Sequence, residues 1–566
     1  MSGPGRRRAT IKSLGTPKAQ PPINYTQPKP KPKPKPKPKP KPKPKNTLNP
    51  TNKLLPTLLL ALTLTSCSSA TPGTVNGPGG KAEPVTITVN PAKTFQTIEH
   101  FGASDAWSCQ FVGNWPDAKR NGIADLLFSS DTLGNGKPKG IGLSLWRFNI
   151  GAGTAEQGDA SGIKDEWRRA ESFLNDNGTY NWNKQAGQIW FLKAAKERGV
   201  NEFLAFPNSP PVQFTVNKKG YANAGKPNLT AENFNKYGEF MANVVSGVRE
   251  KTGITFNHIS PVNEPQWDWS DGGQEGTPFY NNEIAGITRS LSAALLKNKL
   301  STKIDVAEAG QIDYLYSEFN KQGRGNQIHA FFDKSSPDYI GNLPNLTQTI
   351  SGHSYFTTSP YAKAASKRQE IAKALQATPG LKYWMSEYCI LGDNEGEIQG
   401  SGRDLGIDAG IYIAKVIHND LVNANASAWH WWIAISPYDY KDGLIYIDKN
   451  KTDGSYQSSK MLWALGNYSR FVRPGAVRTE VSASAASEGL LISSYKNTDN
   501  QLVTIIINDQ SKATDITLNS SANKLSNVKI YKTSASADLE PVSVIAGSPV
   551  SIEAKSIVTI VGRLAQ

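Results

Sequence analysis

Short apolar runs alternate with longer amphipathic stretches between about residue 100 and residue 430. The longer stretches, such as 235–250 and 282–297, have the length and spacing of surface helices. The short runs have the length of buried strands and end near eight segments: 102–105, 143–147, 203–206, 259–262, 304–307, 353–356, 383–386 and 426–429. Eight strands alternating with helices over roughly 350 residues predict an α/β fold, a (β/α)8 TIM barrel.

The pattern changes after Pro474. Apolar runs at 489–495, 502–507, 529–531 and 556–561 are joined by turns rich in Asn, Ser and Asp, which predicts an attached antiparallel β-sandwich. The alternating run Val85–Val89 precedes the barrel, and we expect it to join the sandwich because chain termini often lie close together. The predicted division is 85–98 for this strand, 99–468 for the barrel and 469–566 for the sandwich.

The first 84 residues have no core-forming pattern. Residues 1–53 include a Lys-Pro repeat from Pro28 to Lys45, which predicts a disordered, extended arm. A basic arm of this kind would touch acidic lipid or polysaccharide, but we prefer to interpret it as a linker or as a translation start placed too early. Residues 68–84 are rich in Ser, Gly and Pro and predict a flexible tether.

Residues 54–67 predict export. The apolar run Leu54–Leu64 follows Lys53 and is shorter than the about 20 residues that span a bilayer, as in a signal-peptide core. Leu64-Thr65-Ser66-Cys67 resembles the bacterial lipobox, which implies lipid attachment at Cys67. An ordinary secretory signal cleaved nearby is the alternative. We therefore expect a cell-envelope lipoprotein or a secreted protein, with membrane contact through the lipid anchor.

The net charge of +15 is placed unevenly. The first 66 residues hold fifteen of the 63 basic side chains and no acidic one, so the remainder carries 48 of each sign. A neutral body argues against nucleic acid as a partner. The three cysteines form no CxxC pair and the six histidines no HExxH, so we expect neither a metal nor another cofactor. In an oxidising compartment, Cys109 and Cys389 would be free to pair, but the sequence does not show their proximity.

Polar side chains follow several of the predicted strands. In a (β/α)8 barrel, the catalytic groups lie at the carboxyl ends of the strands. Two of these residues, Glu264 and Glu387, are glutamates after strands four and seven. Retaining glycoside hydrolysis needs two carboxyl groups about 5–5.5 Å apart, one as nucleophile and one as acid/base. The other candidates at strand ends are Asp105, Arg147, Asn208, His353 and Tyr355.

These motifs carry a family resemblance. Asn263-Glu264-Pro265 and Trp384-Met385-Ser386-Glu387-Tyr388 resemble the clan of retaining (β/α)8 glycosidases. Four further segments narrow the resemblance to glycoside hydrolase family 30, within which the chain is most similar to the endo-β-1,6-galactanase-like branch. The resemblance spans roughly residues 85–566 and includes the sandwich. The four segments are His100–Ala106, Trp146-Arg147-Phe148, Asn208-Ser209-Pro210-Pro211 and Arg470–Gly475.

The resemblance implies roles for individual residues. Glu264 matches the general acid/base and Glu387 the nucleophile. Asn263 matches the amide that contacts the hydroxyl beside the anomeric carbon, and Asp105 matches a residue that binds distal hydroxyls in the first subsite.

The chemistry of three other side chains suggests further roles. Arg147 is suited to holding Glu387 charged, although a salt bridge inside the barrel is the alternative. Tyr355 is placed to donate to the same carboxylate, and His353 is interpreted as a hydrogen-bonding wall rather than a proton shuttle.

Indoles are expected to form the flat platforms of the sugar site. Alternation puts Trp429 and Trp431 on one face of strand eight and Trp432 on the other, so one set alone lines the cleft. We assign Trp429 and Trp431 to the cleft, the alternative being that they are core. Trp267 and Trp269 are interpreted as loop aromatics that shape subsites.

Two departures from the family bear on the substrate. Asn208 stands where some branches have a tryptophan. Residues 433–438 lack the arginine with which glucuronoxylan-cleaving members read an acidic side group.

The hypothesis from sequence is a retaining endo-glycosidase that cleaves a neutral β-linked polysaccharide. The substrate favoured is β-1,6-galactan of arabinogalactan side chains, and we expect a monomer. Rivals are a β-1,6-glucanase, an exo-acting β-glycosidase, and a lipid-anchored glycan-binding protein without activity.

Overall fold

The computed structural model describes residues 83–522, 524–543 and 548–565. The basic arm 1–53, the segment 54–67 with Cys67, and all but the end of the tether 68–84 lie outside the described residues. Within the described residues, no helix has both the length and the apolar composition needed to cross a bilayer.

Eight parallel strands close into a barrel in chain order. Together with the β-rich domain that follows, they confirm the predicted fold class, a (β/α)8 barrel with an attached β-sandwich. The barrel strands are β2 (His100–Ser104), β3 (Leu145–Ile150), β4 (Glu202–Pro207), β5 (His258–Ile259), β6 (Lys303–Ala309), β7 (Leu346–His353), β8 (Lys382–Glu387) and β9 (Ala428–Trp431), and they follow β1 (Val85–Thr97).

Helices surround the barrel, and α5 (Phe234–Thr252) packs on it through one apolar face. Its buried side chains Tyr237, Met241, Val244 and Val248 recur at helical spacing. The helix ends at Gly253, whose φ of +75° suits a residue without a side chain. The helices are α1 (Cys109–Val112), α2 (Asp117–Phe128), α3 (Thr154–Gln157), α4 (Ala186–Glu197), α5 (Phe234–Thr252), α6 (Asn281–Lys297), α7 (Asp313–Tyr316), α8 (Gln327–Phe332), α9 (Tyr361–Gln376), α10 (Ile407–Asn423) and α11 (Lys460–Ser469).

The remaining strands form two sheets. The strands are β10 (Ile435–Ser436), β11 (Ile445–Ile447), β12 (Tyr456–Ser458), β13 (Val477–Ala483), β14 (Leu490–Lys496), β15 (Gln501–Asn508), β16 (Thr514–Ser520), β17 (Leu525–Ser534), β18 (Ala537–Val542), β19 (Val550–Ile552) and β20 (Ser556–Leu564). The first three make a small sheet after the barrel, and β1 joins the other eight in the order β18-β17-β20-β15-β14-β13-β1-β16-β19.

The nine-stranded sheet folds over on itself. Ile516 of β16 and Ile530 of β17 lie near opposite ends of the strand order, yet they share one buried apolar cluster with Ile87 of β1. Two facing halves with a shared core are the layers of a sandwich. The sheet differs from the antiparallel prediction at one pair, because β1 runs parallel to β16.

Two details of the sequence prediction need correction. The run predicted as strand six, 353–356, begins where β7 ends, so Tyr355 lies in the following loop rather than on a strand. The boundary predicted after residue 468 falls inside the last turn of α11. That helix packs on the sandwich, where Asn467 donates to Thr533 Oγ1 at 2.8 Å, so the change from helices to strands does not coincide with the edge of a core.

Candidate active site

The two predicted carboxylates meet at the carboxyl end of the barrel. Glu387 is the last residue of β8, and Glu264 lies in the loop that follows β5. One side-chain oxygen of each, and one ring nitrogen of His353, all lie within 4.8 Å of one another. This separation matches the closely spaced pair of a retaining glycosidase, since inverting enzymes hold their carboxyl groups about 6.5–9.5 Å apart.

A cleft of about 640 Å³ opens above this pair. Its floor is formed by the two glutamates and Asn263, and its walls come from loop residues. Trp267, Trp269, Tyr355, Phe356, Leu391 and Trp432 supply the apolar walls, with Asp268, Ser270, Asp271 and Gln274 as polar ones. Aromatic walls with a few convergent polar groups are typical of saccharide sites.

Arg147 holds Glu387 from within the barrel. Its Nη1 donates to Glu387 Oε2, while Nη2 donates to Asn263 Oδ1 at 2.9 Å and to Glu308 Oε2 at 3.0 Å. The guanidinium is fully buried and its central carbon lies 3.6 Å from the centroid of the Phe206 ring. The contact expected with Glu387 and the alternative of an interior salt bridge are therefore both present.

Glu387 accepts a second hydrogen bond on its other oxygen. The Tyr355 hydroxyl donates to Glu387 Oε1 at 3.0 Å, and His353 Nδ1 lies 3.5 Å from the same atom. An arginine and a phenol on opposite oxygens stabilise the ionised form of a carboxylate and fix its orientation.

Glu264 has different surroundings. Burial raises the pKa of this carboxyl above its usual range, the His353 imidazole acts in the opposite direction, and the charge of Glu387 raises it further. Glu264 Oε1 lies 2.9 Å from His353 Nδ1. Its backbone has a φ of +46°, held by a hydrogen bond from its N–H to Glu308 O at 2.8 Å. Unequal environments for two neighbouring carboxyls are what separate an acid from a nucleophile.

His353 bridges three carboxyl groups. Besides its contacts with Glu264 and Glu387, its Nε2 lies 2.8 Å from Glu308 Oε2. Burial alone would lower the pKa of His353, but the charge of Glu387 and the hydrogen bonds with Glu264 and Glu308 raise it to about 10. The side chain is therefore an imidazolium at neutral pH.

Glu308 is a residue that the sequence analysis missed. It is fully buried near the end of β6, one residue beyond the point at which strand five was predicted to end. Ser386 Oγ donates to its Oε2 and Ser260 Oγ to its Oε1, each at 3.0 Å. Burial would raise the pKa of Glu308, but Arg147 and His353 lower it to about 2. A signal was present, because Glu308 is another acidic residue at a predicted strand end.

The predicted amides lie side by side. Asn263 Nδ2 donates to Asn208 Oδ1 at 3.2 Å, and Asn208 Nδ2 is buried without an acceptor among the described residues. Asp105 is buried behind the cleft walls, where its Oδ1 accepts the backbone N–H of Asn149 at 2.7 Å. Burial raises the pKa of Asp105 to about 8, and its Oδ2 has no partner within the described part of the chain.

The assignment of Trp429 and Trp431 to the cleft is wrong. Both indoles are fully buried. Trp429 Nε1 donates to Asp420 of α10 at 3.0 Å, on the helix side of β9, and Trp431 Nε1 donates to the carbonyl of Asp442 at 2.7 Å. Trp432, on the opposite face, lines the cleft. Alternation separated the two sets correctly, but the choice between them depended on which side of β9 faces the helices.

The group of two glutamates and His353 is close enough to ligate a metal ion. In the structure these side chains instead bind one another and the cationic and phenolic groups of Arg147 and Tyr355. Cys109 and Cys389 are both buried and free, so the disulfide left open by the sequence is not formed.

Comparison with known proteins agrees with this geometry. The model of O-glycosyl hydrolase family 30 matches residues 84–446, and that of the glycosyl hydrolase family 30 beta sandwich domain matches residues 475–560. An endo-beta-1,6-galactanase of Hypocrea rufa is 25% identical over 431 residues, which cover 72% of this chain and 80% of the relative. Glucuronoxylanase XynC of Bacillus subtilis strain 168 is 24% identical over 462 residues, covering 80% and 85%.

Among solved structures, a conserved exported protein from Bacteroides fragilis is similar at a TM-score of 0.79 with 34% identity. The match covers 84% of this chain and 100% of that one. The catalytic family model alone spans more than half of the chain, and the barrel, the sandwich and the paired glutamates are in place. The chain is thus a glycoside hydrolase and belongs to glycoside hydrolase family 30.

Proposed function

We propose that this hydrolase is a retaining endo-glycosidase whose substrate is a neutral β-linked polysaccharide, with β-1,6-galactan favoured. The observation that carries the mechanism is the approach of Glu264 and Glu387 to within 4.8 Å in unequal environments. The choice of galactan is supported by the similarity to an endo-beta-1,6-galactanase over most of both chains.

In the first step, a Glu387 oxygen attacks the anomeric carbon while Glu264 gives its proton to the glycosidic oxygen. The carbon–oxygen bond of the linkage breaks, the first product leaves as an alcohol, and the sugar stays as an ester of Glu387. In the second step, water attacks the same carbon and returns a proton to Glu264, which releases Glu387. Two inversions keep the β configuration.

The charges around the site suit this exchange. With Glu264 protonated, the positive charges of Arg147 and His353 balance the negative charges of Glu308 and Glu387. When the ester forms, Glu387 loses its charge as Glu264 gains one, so the cluster stays neutral in both states. A buried site that keeps its net charge through the reaction avoids the cost of an uncompensated charge at low dielectric.

A neutral substrate is supported by the polar lining of the cleft. Asp268 and Asp271 line it, and none of its lining residues is Lys or Arg. Asp268 is paired with Lys321 at 3.0 Å, so a glycan with acidic side groups would meet repulsion chiefly from Asp271.

Two variants separate the proposed roles. Glu387→Gln removes the nucleophile, so no substrate should react. Glu264→Gln removes the acid, so cleavage of polysaccharide should fall by several orders of magnitude, whereas an aryl glycoside with an acidic phenol leaving group should still form the ester. Both variants should keep glycan affinity. Unchanged turnover by either variant contradicts the assignment.

The substrate is tested by digesting β-1,6-galactan, β-1,6-glucan and xylan and by separating the products by length. Oligosaccharides from galactan support the endo proposal, while monosaccharide alone indicates an exo enzyme. Hydrolysis of xylan alone contradicts galactan as the substrate. The configuration of the first products, followed by NMR, should be β.

We further propose that the protein is exported, anchored through lipid on Cys67, and monomeric. The similarity to a protein described as exported supports the first point, and the lipobox-like segment supports the second. Mass spectrometry of the membrane fraction should find diacylglycerol on Cys67. An unmodified soluble protein contradicts the anchor, and light scattering tests the monomer.

A further inference from the structure

A second groove of about 600 Å³ lies beside the catalytic cleft. We define it by Phe356, Ser359, Asp393, Glu395, Gln399 and Tyr440, which come from the loops after β7, β8 and β10. Phe356 lines the groove and the cleft alike, and Leu391 of the cleft precedes Gly392 of the groove. The two depressions therefore share a wall, and a chain leaving the cleft on this side would enter the groove.

Exposed aromatic rings mark both sides of the second groove. Phe356 is 58% exposed and Tyr440 44% exposed, although apolar rings of this size are usually buried. Phe356 has a φ of +58° and packs edge-on against Trp267, with ring centroids 5.9 Å apart. A solvent-exposed ring held in an unusual backbone conformation fits a platform for a ligand better than it fits a core residue.

The loops that carry the groove are tied together. Ser401 and Tyr440 form a β-bridge, and Lys441 Nζ donates to the carbonyls of Ser401 and Gly402 at 3.0 and 3.1 Å. The Tyr440 carbonyl accepts the Tyr446 hydroxyl at 2.7 Å. Tyr440 is therefore presented by a braced backbone, which lowers the entropy lost when a ligand binds.

The polar lining of the second groove is suited to hydroxyl groups. Asp393, Glu395, Gln399 and Ser359 offer acceptors, and no lysine or arginine is among its lining residues. Glu395 is paired with Lys363 at 2.7 Å, and both are about half exposed, so the pair is weakly held. Asp393 accepts the N–H of Glu395 at 3.3 Å and has no cationic partner among the described residues. The groove therefore has a negative surface that disfavours acidic glycans.

We propose that the second groove binds further sugar units of an uncharged glycan chain whose cleaved bond lies in the catalytic cleft. This inference rests on the proposed function, since it extends the same substrate beyond the site of cleavage. In this proposal Tyr440 contacts sugar units of a long substrate and takes no part in bond cleavage.

The test compares Tyr440→Ala with Tyr440→Phe, which keeps the flat ring, and with Phe95→Ala, which removes an exposed phenyl group from β1. The polymer is whichever neutral β-glycan the unmodified protein cleaves, and the short substrate is an aryl glycoside that fills the cleft alone. We expect Tyr440→Ala to lower kcat/KM on the polymer about tenfold, chiefly through KM, and to leave the aryl glycoside within twofold. Tyr440→Phe and Phe95→Ala should retain activity on both.

A polymer rate for Tyr440→Ala equal to that of the unmodified protein overturns the proposal, as does an equal loss on both substrates. Failure of the unmodified protein to cleave any neutral β-glycan counts against the proposed function instead. In that case the groove is tested by calorimetric binding of galactan oligosaccharides to Tyr440→Ala and to the unmodified protein, where equal affinities overturn the proposal.

The charge of the groove is tested separately. Asp393→Asn should raise the rate on a uronate-bearing glycan relative to the rate on the neutral one, and an unchanged ratio contradicts the electrostatic part of the inference.

Discussion

His353 and Glu308 form a buried ion pair directly beneath the two proposed catalytic carboxyls. His353 Nε2 lies 2.8 Å from Glu308 Oε2, while its Nδ1 lies 2.9 Å from Glu264 Oε1, and the side chains of both members of the pair are fully buried. Because the imidazolium carries a proton on each ring nitrogen, Nε2 donates to Glu308 while Nδ1 faces the proposed acid as an N–H donor. A carboxylate outside the cleft lining thus helps to set the proton affinity of Glu264.

Replacement of Glu308 by Gln tests this arrangement. The amide cannot supply the charge that raises the pKa of His353, so the imidazolium should lose its proton at lower pH. Since the charge and orientation of a supporting group then change, we expect kcat to fall about 10- to 100-fold with a small change in KM. Histidine NMR signals followed against pH, together with steady-state kinetics, measure both effects.

Asp305→Asn is the matched control inside the same barrel. Burial and the charge of Glu308 raise the pKa of Asp305 well above its usual range, which favours the neutral form of this carboxyl. It accepts from Ser351 Oγ at 2.7 Å and from Ser260 Oγ at 3.1 Å, which an amide oxygen can also do. Asp305→Asn should keep nearly full activity. A loss as large as that of Glu308→Gln would show that any change in the barrel interior disturbs the site.

Site residues whose position follows from the order of the strands could be predicted from the sequence. Those whose role depends on contacts between distant side chains could not. Glu264 and Glu387 could be placed because both follow strands that converge at one end of a barrel. Glu308 also follows a predicted strand end, but its role could not be predicted, because the two groups that neutralise its buried charge, Arg147 and His353, come from β3 and β7. The pairing of distant side chains leaves no local trace in the sequence.

The sequence also could not predict which face of a strand meets the cleft. Period-two alternation separates Trp429 and Trp431 from Trp432, but it does not say which set points toward the helices. That choice is decided by Asp420 on α10, which is fully buried beside Arg368 at 2.7 Å and accepts the indole N–H of Trp429. A polar group on a helix, 9 residues before Trp429, therefore fixes the orientation of that indole.

Substitution of the two sets of indoles should show which set contacts the substrate. Trp432→Ala removes a cleft wall, so KM for polysaccharide should rise about tenfold; because this indole also packs edge-on against Trp107 and is largely buried, the free energy of unfolding should fall as well, by about 3–5 kcal/mol. Trp429→Phe leaves a buried carboxylate oxygen without its indole donor, so the free energy of unfolding should fall by about 1–3 kcal/mol with KM unchanged. Urea unfolding and kinetics of both variants check this, and a reversed pattern would restore the original assignment.

The pH profile should report the contact between His353 and Glu264. Protonated Glu264 is needed for the first step, so activity is lost as the pH rises through the pKa of that group. His353 lowers this pKa, against burial and the charge of Glu387, which raise it. His353→Gln should therefore move the alkaline limb of kcat/KM to higher pH, whatever the residual rate. A limb that stays in place or moves to lower pH would contradict the coupling.

The same ion pair gives stability a pH dependence with two limits. Glu308 has a folded-state pKa of about 2, below its ordinary value of 4.5, so its contribution is fully present above pH 4.5 and is lost as the pH falls toward 2. His353 has a folded-state pKa of about 10, above its ordinary value of 6.5, so its contribution is fully present below pH 6.5 and is lost as the pH rises toward 10.

The contribution of this pair to the free energy of unfolding should accordingly be greatest between about pH 4.5 and 6.5. In His353→Gln, the decline between pH 6.5 and 10 should become shallower by a few kcal/mol, because each pKa unit corresponds to about 1.4 kcal/mol. Urea unfolding at a series of pH values provides the measurement, with Phe95→Ala as a variant that leaves the pair intact. Parallel curves for His353→Gln and the unmodified protein above pH 6.5 would show that His353 is not held as an imidazolium.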